Sequence, residues 1–217
     1  VYKRQLKVYE IPEGSKTSKG RAIQNIINLP KDDKIMAYIN TKDLKDEEYI
    51  NSHFIMMCTK KGVVKKTSLE AYSRPRTNGI NAITIREGDQ LLEAKMTTGN
   101  SHIMMAVKSG KAIHFEEEKV RSMGRTAAGV RGIRLANDND EVVGMICIED
   151  TTSSVLVVAE NGYGKRSAVE DYRITNRGGK GIIGIVNSPR NGSICSSFVV
   201  FDGDEIMIST NKGRVIR

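Results

Sequence analysis

Tryptophan is absent from this chain, phenylalanine occurs four times, and aromatic residues make up only 5% of its 217 residues. A stacking platform for single strands or RNA bases needs ring faces interleaved with cations, so that class of binding has little support. There are three cysteines, Cys58, Cys147 and Cys195, each in or beside an apolar run and none in a CxxC spacing. An odd count so spaced argues against a disulfide framework or a zinc site and fits a reducing cytosol. His53, His102 and His114 form no ligand spacing, and no metal is expected. No apolar run approaches the ~20 residues that a membrane span needs, so no membrane partner is expected. The amino end, Val1-Tyr2-Lys3-Arg4, is strand-like rather than a signal segment.

Catalytic patterns are missing as well. Gly124-Arg125-Thr126-Ala127-Ala128-Gly129 has the glycine spacing of a phosphate loop, but Val130-Arg131 stands where Lys-Ser/Thr is required. Gly164-Lys165 lacks the upstream glycine, since Ala159 occupies that place. No Ser/His/Asp or paired-carboxylate constellation recurs, so no catalytic residue is expected. Asn191-Gly192-Ser193 matches a glycosylation sequon without meaning in a cytosolic chain. The Met56-Met57 and Met104-Met105 pairs read as core packing.

What the chain does contain is a repeat. Strand-like runs lead to Gly62, Gly110, Gly162 and Gly213, at intervals of 48, 52 and 51 residues. A second glycine follows 17 to 19 residues later: Gly79-Ile80-Asn81-Ala82, Gly129-Val130-Arg131-Gly132 and Gly181-Ile182-Ile183-Gly184, with a looser copy at Gly20-Arg21-Ala22-Ile23. Polar turns at Asp33-Lys34, Asp89-Gln90, Asp140-Glu141 and Gly192-Ser193 then precede another apolar run. Each unit of about 50 residues therefore holds several short strands with hairpin punctuation. Runs apolar at nearly every position are those of strands covered on both faces.

The expected fold is all-β: a propeller-like ring of four-stranded blades, about 50 residues per blade, in a single domain over 1–217. Its units run approximately 1–52, 53–100, 101–152 and 153–203, with a partial one at 204–217. Residues 41–49 read as a short helical or irregular insertion. Both ends read as interrupted units, so the terminal halves are expected to pair or approach each other, and the parent protein to continue beyond both.

Charge follows the repeat. There are 34 Lys+Arg against 26 Asp+Glu, a net charge of +8 with a pI near 9.4. The windows 62–84, 110–134 and 162–186 carry +3 apiece and 1–25 carries +4, while the other 119 residues carry −5. Any one of these cations could serve merely to solvate a loop. Repeated in every unit of a ring, they form a band suited to a phosphate backbone. Bending a duplex of 20–30 bp costs of order 1–6 kcal/mol, which many phosphate contacts can offset. The candidate contacts are Lys16, Lys19 and Arg21, then Lys65, Lys66, Arg74 and Arg76. Arg121, Arg125, Arg131 and Arg134 follow in the third unit, and Lys165, Arg166, Arg173, Arg177 and Lys180 in the fourth.

Several segments resemble one known family. Tyr9-Glu10-Ile11-Pro12-Glu13, Gly62-Val63-Val64-Lys65-Lys66-Thr67, Met123-Gly124-Arg125-Thr126, Gly129-Val130-Arg131-Gly132-Ile133-Arg134-Leu135 and Asn161-Gly162-Tyr163-Gly164-Lys165-Arg166 are similar to the C-terminal domains of bacterial DNA gyrase A. The likeness runs along essentially the whole chain. It implies a five- or six-bladed β-pinwheel with strands exchanged between blades, wrapping double-stranded DNA around its outer edge with positive handedness. It also implies that the parent is a type IIA topoisomerase, an isomerase introducing negative supercoils, located in the bacterial cytoplasm and associated with the nucleoid. The implied partners are DNA, the N-terminal domain of gyrase A and the gyrase B protein. No cofactor is implied in this chain, with ATP and Mg used on other domains. The family's signature heptad, Gln-basic-Arg-Gly-Gly-basic-Gly, lies by the same resemblance upstream of Val1. Thr175-Asn176-Arg177-Gly178-Gly179-Lys180-Gly181 matches five of its seven positions and reads as a degenerate copy.

Two alternatives stand beside this reading. One is the corresponding DNA-binding domain of topoisomerase IV. The other is a protein-interaction propeller, although Kelch repeats carry a diglycine in each unit and Gly178-Gly179 is the one adjacent pair here.

Overall fold

The structure is a computed structural model and describes residues 2–15, 17–27, 29, 34–74, 76, 78–209 and 215–216. Fifteen strands lie among them: β1 (Tyr2–Lys3), β2 (Phe54–Thr59), β3 (Val63–Ser68), β4 (Ile80–Asn81), β5 (Leu91–Thr97), β6 (His102–Val107), β7 (Lys111–Glu116), β8 (Val130–Arg131), β9 (Val142–Ile148), β10 (Ser154–Ala159), β11 (Gly164–Ala168), β12 (Ile182–Ile183), β13 (Ile194–Val200), β14 (Ile208–Ser209) and β15 (Val215–Ile216). The hairpin glycines behave as their spacing predicts. Gly62, Gly110 and Gly162 close the β2–β3, β6–β7 and β10–β11 hairpins at φ of 81°, 93° and 83°, where a side chain would be strained. Gly213 lies outside the described residues.

Pairing among these strands crosses the repeat boundaries. The two four-stranded sheets run β5-β2-β3-β8 and β12-β7-β6-β9, a third sheet runs β11-β10-β13, and all pairs are antiparallel. Thus β8 and β12, which carry the second glycine motif, complete the sheet of the preceding repeat, and β4 does the same for β1. This is the strand exchange expected of a pinwheel. The second glycines make it possible: a Cβ on Gly129 would stand 2.7 Å from the Val64 carbonyl oxygen and one on Gly181 2.5 Å from that of Ala112.

Strand order also sets inside against outside. At one edge of each sheet stand β5, β9 and β13, and these three lie side by side. The Glu93 carboxylate of β5 accepts from the Met145 N–H of β9 at 2.7 Å, stitching the inner strands together. The lent strands β8 and β12 close the opposite, outer edges. Between the sheets lie continuous apolar layers. Met56, Cys58 and Val64 meet Ile103, Met105, Phe115 and Met145 in one, and Met104 and Ile146 meet Val155, Val157 and Tyr172 in the next. Each such side chain contributes about 1.5–3 kcal/mol of burial, so the sheets stabilise one another rather than standing alone.

The first unit departs from the expectation of a four-stranded blade. Among the described residues it holds β1, two short 3-10 turns (Val8–Glu10 and Ile23–Asn25) and α1 (Glu47–Ser52), whose first turn is capped by Asp46 accepting from Tyr49 N–H at 3.1 Å. Gly20-Arg21-Ala22-Ile23 enters a 3-10 turn instead of a strand. The helix falls at the end of the expected insertion. The terminal strands do not pair with one another among the described residues: β1 pairs with β4 and β14 with β15.

Candidate nucleic-acid interface

Basic loops recur at one place in this topology. In three successive units a 3-10 turn follows the outer hairpin strand: Leu69–Tyr72 after β3, Glu117–Lys119 after β7, and Val169–Asp171 after β11. Each turn, with the residue that follows it, buries apolar side chains against the sheet: Leu69 and Tyr72, then Val120, then Val169 and Tyr172. The chain then runs outward through Arg74 and Arg76, Arg121 and Arg125, or Arg173, Arg177 and Lys180 before entering β4, β8 or β12. Because those strands form the outer edges, the loops feeding them lie on the rim.

Arg74, Arg76, Arg121, Arg131, Arg134, Arg173 and Lys180 are exposed there, with no side-chain hydrogen bond or ion pair to a described residue. Lys19 and Arg21 are exposed on the irregular first unit. Lys16 lies outside the described residues. Arg166 is exposed and paired with Asp202 at 2.5 Å, and Lys165 is exposed with Nζ 3.4 Å from the Gly184 carbonyl oxygen. Half-buried Arg177 donates from Nε to the Lys119 carbonyl at 2.8 Å and from Nη1 to the Arg131 carbonyl at 3.0 Å. Its guanidinium holds one repeat against the next.

Two predicted contacts are corrected. Lys65 is 0% exposed, and its ammonium donates to the carbonyl oxygens of Ala82 at 2.6 Å and Arg125 at 2.5 Å. Burial first, and then the Arg125 guanidinium, push that ammonium down to about 8 from 10.5. Lys66 is also buried. Its Nζ lies 2.9 Å from Glu117 Oε1 and 4.2 Å from the centre of the Phe54 ring. Neither can reach a phosphate. They sit in β3, which is flanked by β2 and β8, and the loop of the third unit continues along its outer edge beyond β8: Met123 N–H donates to the Lys66 carbonyl at 2.8 Å. The corresponding residues of β11, Lys165 and Arg166, are exposed because no strand lies along the outer edge of β11 among the described residues.

Sequence reasoning overlooked two carboxylates that shape the site. Glu117 is fully buried, and besides Lys66 it accepts from Thr97 Oγ1 at 2.8 Å and Ser101 N–H at 3.2 Å. Glu70 lines a rim groove of about 320 Å³ together with Ala71, Ile80, Arg74, Arg76 and Arg125. A lysine within an apolar strand, facing a strand of another repeat, was the one available signal for a buried acid. Among the described residues no group of three or more His, Cys, Asp or Glu is placed to hold a metal, and no helix is long and apolar enough to cross a membrane.

The chain matches a family model described as the DNA gyrase C-terminal domain, beta-propeller, over residues 5–41, 53–97, 101–149, 153–194 and 204–217. It is 42% identical over 214 residues to the DNA gyrase A protein of Chlamydia pneumoniae, covering 98% of this chain and 25% of that protein. Identity to the DNA gyrase A protein of Staphylococcus epidermidis is 44%, covering 100% of this chain and 24% of that protein. The chain thus spans about a quarter of the length of the curated relatives it matches. Among solved structures, a C-terminal domain of DNA topoisomerase IV superposes with a TM-score of 0.83 at 26% identity, covering 96% of this chain and 64% of that one. A DNA gyrase A C-terminal domain superposes with a TM-score of 0.79 at 24% identity, covering 92% and 64%, a likeness of fold.

Proposed function

Because this chain belongs to the DNA gyrase C-terminal domain family, we propose that it binds duplex DNA along its outer rim and bends it there, without catalytic chemistry of its own. The observation that supports this most is the placement of exposed cations. Arg121, Arg131 and Arg134 lie in and around β8, at the edge away from β5, Arg173 and Lys180 lie before β12, at the edge away from β9, and Arg74 and Arg76 hold the same place before β4. A curved row of guanidinium and ammonium groups neutralises phosphates without reading bases, so binding is indifferent to sequence. The same logic governs histone cores, where backbone contacts and deformability suffice to wrap a duplex.

In this reading the chain is one pinwheel domain whose rim delivers a curved segment to the rest of a gyrase. The N-terminal domain of gyrase A and the gyrase B protein are its partners, and negative supercoiling by strand passage, with its ATP and Mg, belongs to those other parts. The cytoplasm is the compartment that follows. Topoisomerase IV is the second reading, favoured by the 0.83 superposition. The relatives at 42–44% identity are gyrase A proteins.

The test is a titration of linear duplex against the chain over a range of salt. Log affinity should fall linearly with log salt, at about −0.9 per phosphate neutralised. The same chain should shift the linking number of relaxed circles closed by a ligase in its presence. No complex in dilute buffer, or an affinity indifferent to salt, would refute the proposal.

A further inference from the structure

The rim is not uniform, and one junction stands out. Arg125 and Arg177 hold the same place in their repeats, four residues before Gly129 and Gly181. The Arg177 guanidinium is consumed by two carbonyls. That of Arg125 makes no hydrogen bond or ion pair with a described residue, yet its backbone is fixed, since its carbonyl oxygen receives the Lys65 ammonium at 2.5 Å. Arg125 lines the 320 Å³ groove with Arg74 and Arg76 of the preceding repeat, and Ile80 and Ala71 complete its wall. Glu70 lines it too, but no ion pair joins Glu70 to any of the three arginines. Three arginines from two repeats thus line one concavity, and none has a hydrogen bond or ion pair from its guanidinium to a described residue.

Resting on the reading of the rim as a duplex track, we propose that this groove is a seat for a single phosphate group, the point at which the duplex is held in register on the domain. Guanidinium forks match phosphate oxygens in bidentate pairs, which a point charge cannot do. An exposed cation outside such a concavity contributes through counterion release. The Glu70 carboxylate on the same wall opposes an anion there.

Two probes test this. Inorganic phosphate titrated into the ¹⁵N-labelled chain should move the Arg74, Arg76 and Arg125 Nε–H signals together and leave those of Arg121 and Arg173 in place. Duplex titrations should then compare R74Q/R76Q with R121Q/R173Q, which remove equal charge from exposed positions. The control should reduce the salt slope by up to about two phosphates' worth, the groove variant by no more than about one, because its arginines share a phosphate. The groove variant should lose about tenfold more affinity than its control, the value of one lost charge-assisted contact. E70Q should tighten both ligands. Equal losses in the two variants, or phosphate shifts spread evenly over all exposed arginines, would overturn the seat while leaving the duplex track standing. Phosphate at the groove with no duplex bound would instead leave the seat standing and sink the duplex reading.

Discussion

Replacing Lys65 by methionine keeps the aliphatic stem in β3 and removes a charge held without water. The ammonium titrates near 8 in the folded chain and near 10.5 when released. Above about 8 the folded state therefore binds fewer protons at this site than the unfolded state, and the site's contribution to stability rises with pH until 10.5. Below 8 both states are charged and the contribution is constant at its least favourable value. The fall from 10.5 to about 8 corresponds to roughly 3 kcal/mol over that window, as an order of magnitude. The loss of the donor leaves the Ala82 carbonyl still hydrogen-bonded by Tyr72 Oη at 3.1 Å, but removes the ammonium from the Arg125 carbonyl, which costs about 1–3 kcal/mol if that group stays buried. At pH 7 relief of the buried charge and loss of the contacts nearly cancel, so K65M should lie within about 2 kcal/mol of the parent.

Other groups titrate in the same alkaline range with the opposite sign. Burial pushes the Cys58 thiol up and that of Cys147 to about 12, and it raises Tyr72, so these lose stability as pH rises. The informative quantity is therefore the difference between K65M and the parent, measured by urea denaturation from pH 7 to 10. K65M should fall progressively behind the parent above pH 8, and its salt slope for duplex should equal the parent's. A flat difference, or a slope lowered by one charge, would refute the burial of Lys65.

Three further outcomes follow from the packing. Glu117→Ala strands the buried Lys66 ammonium and should cost about 3–5 kcal/mol in denaturant melts, whereas Lys66→Met combined with Glu117→Met should recover most of it. His114 is buried, with Nδ1 2.6 Å from the Tyr172 carbonyl and Nε2 3.0 Å from His102 Nδ1, and burial lowers its pKa. Stability from this site is present above 6.5 and declines as pH falls below it, so His114→Asn should flatten the acid side of a pH–stability curve. Gly110→Ala forces a side chain at φ 93° against the Ile185 carbonyl oxygen, and should lower stability by more than about 2 kcal/mol, read as a shift in thermal midpoint.

Much of the fold is legible in the chain, because the glycine positions are dictated by backbone geometry that only glycine relieves. Gly62, Gly110 and Gly162 announce hairpins from any reading frame. Which strands share a sheet is harder to see. Ile182 pairs with Ala112, seventy residues earlier, and nothing local marks a two-residue strand as lent backward. The same non-locality explains Lys65 and Lys66. Charge counting treats every lysine as solvated, yet the acceptors of Lys65 lie 17 and 60 residues away, and the acid that answers Lys66 belongs to another repeat. Arg74, Arg76 and Arg121 are legible as exposed cations because they lie in the basic loops that precede the second glycine of each unit.

Lending a strand backward also ties the repeats together like links of mail. Deleting the unit that carries β6 to β9 would strip β8 from β3 and leave β12 without β7, damaging both neighbours at once. Unit number can therefore change cleanly only when a cut and its rejoining fall at matching points of two repeats. A protease that nicks one outer loop should loosen two sheets together.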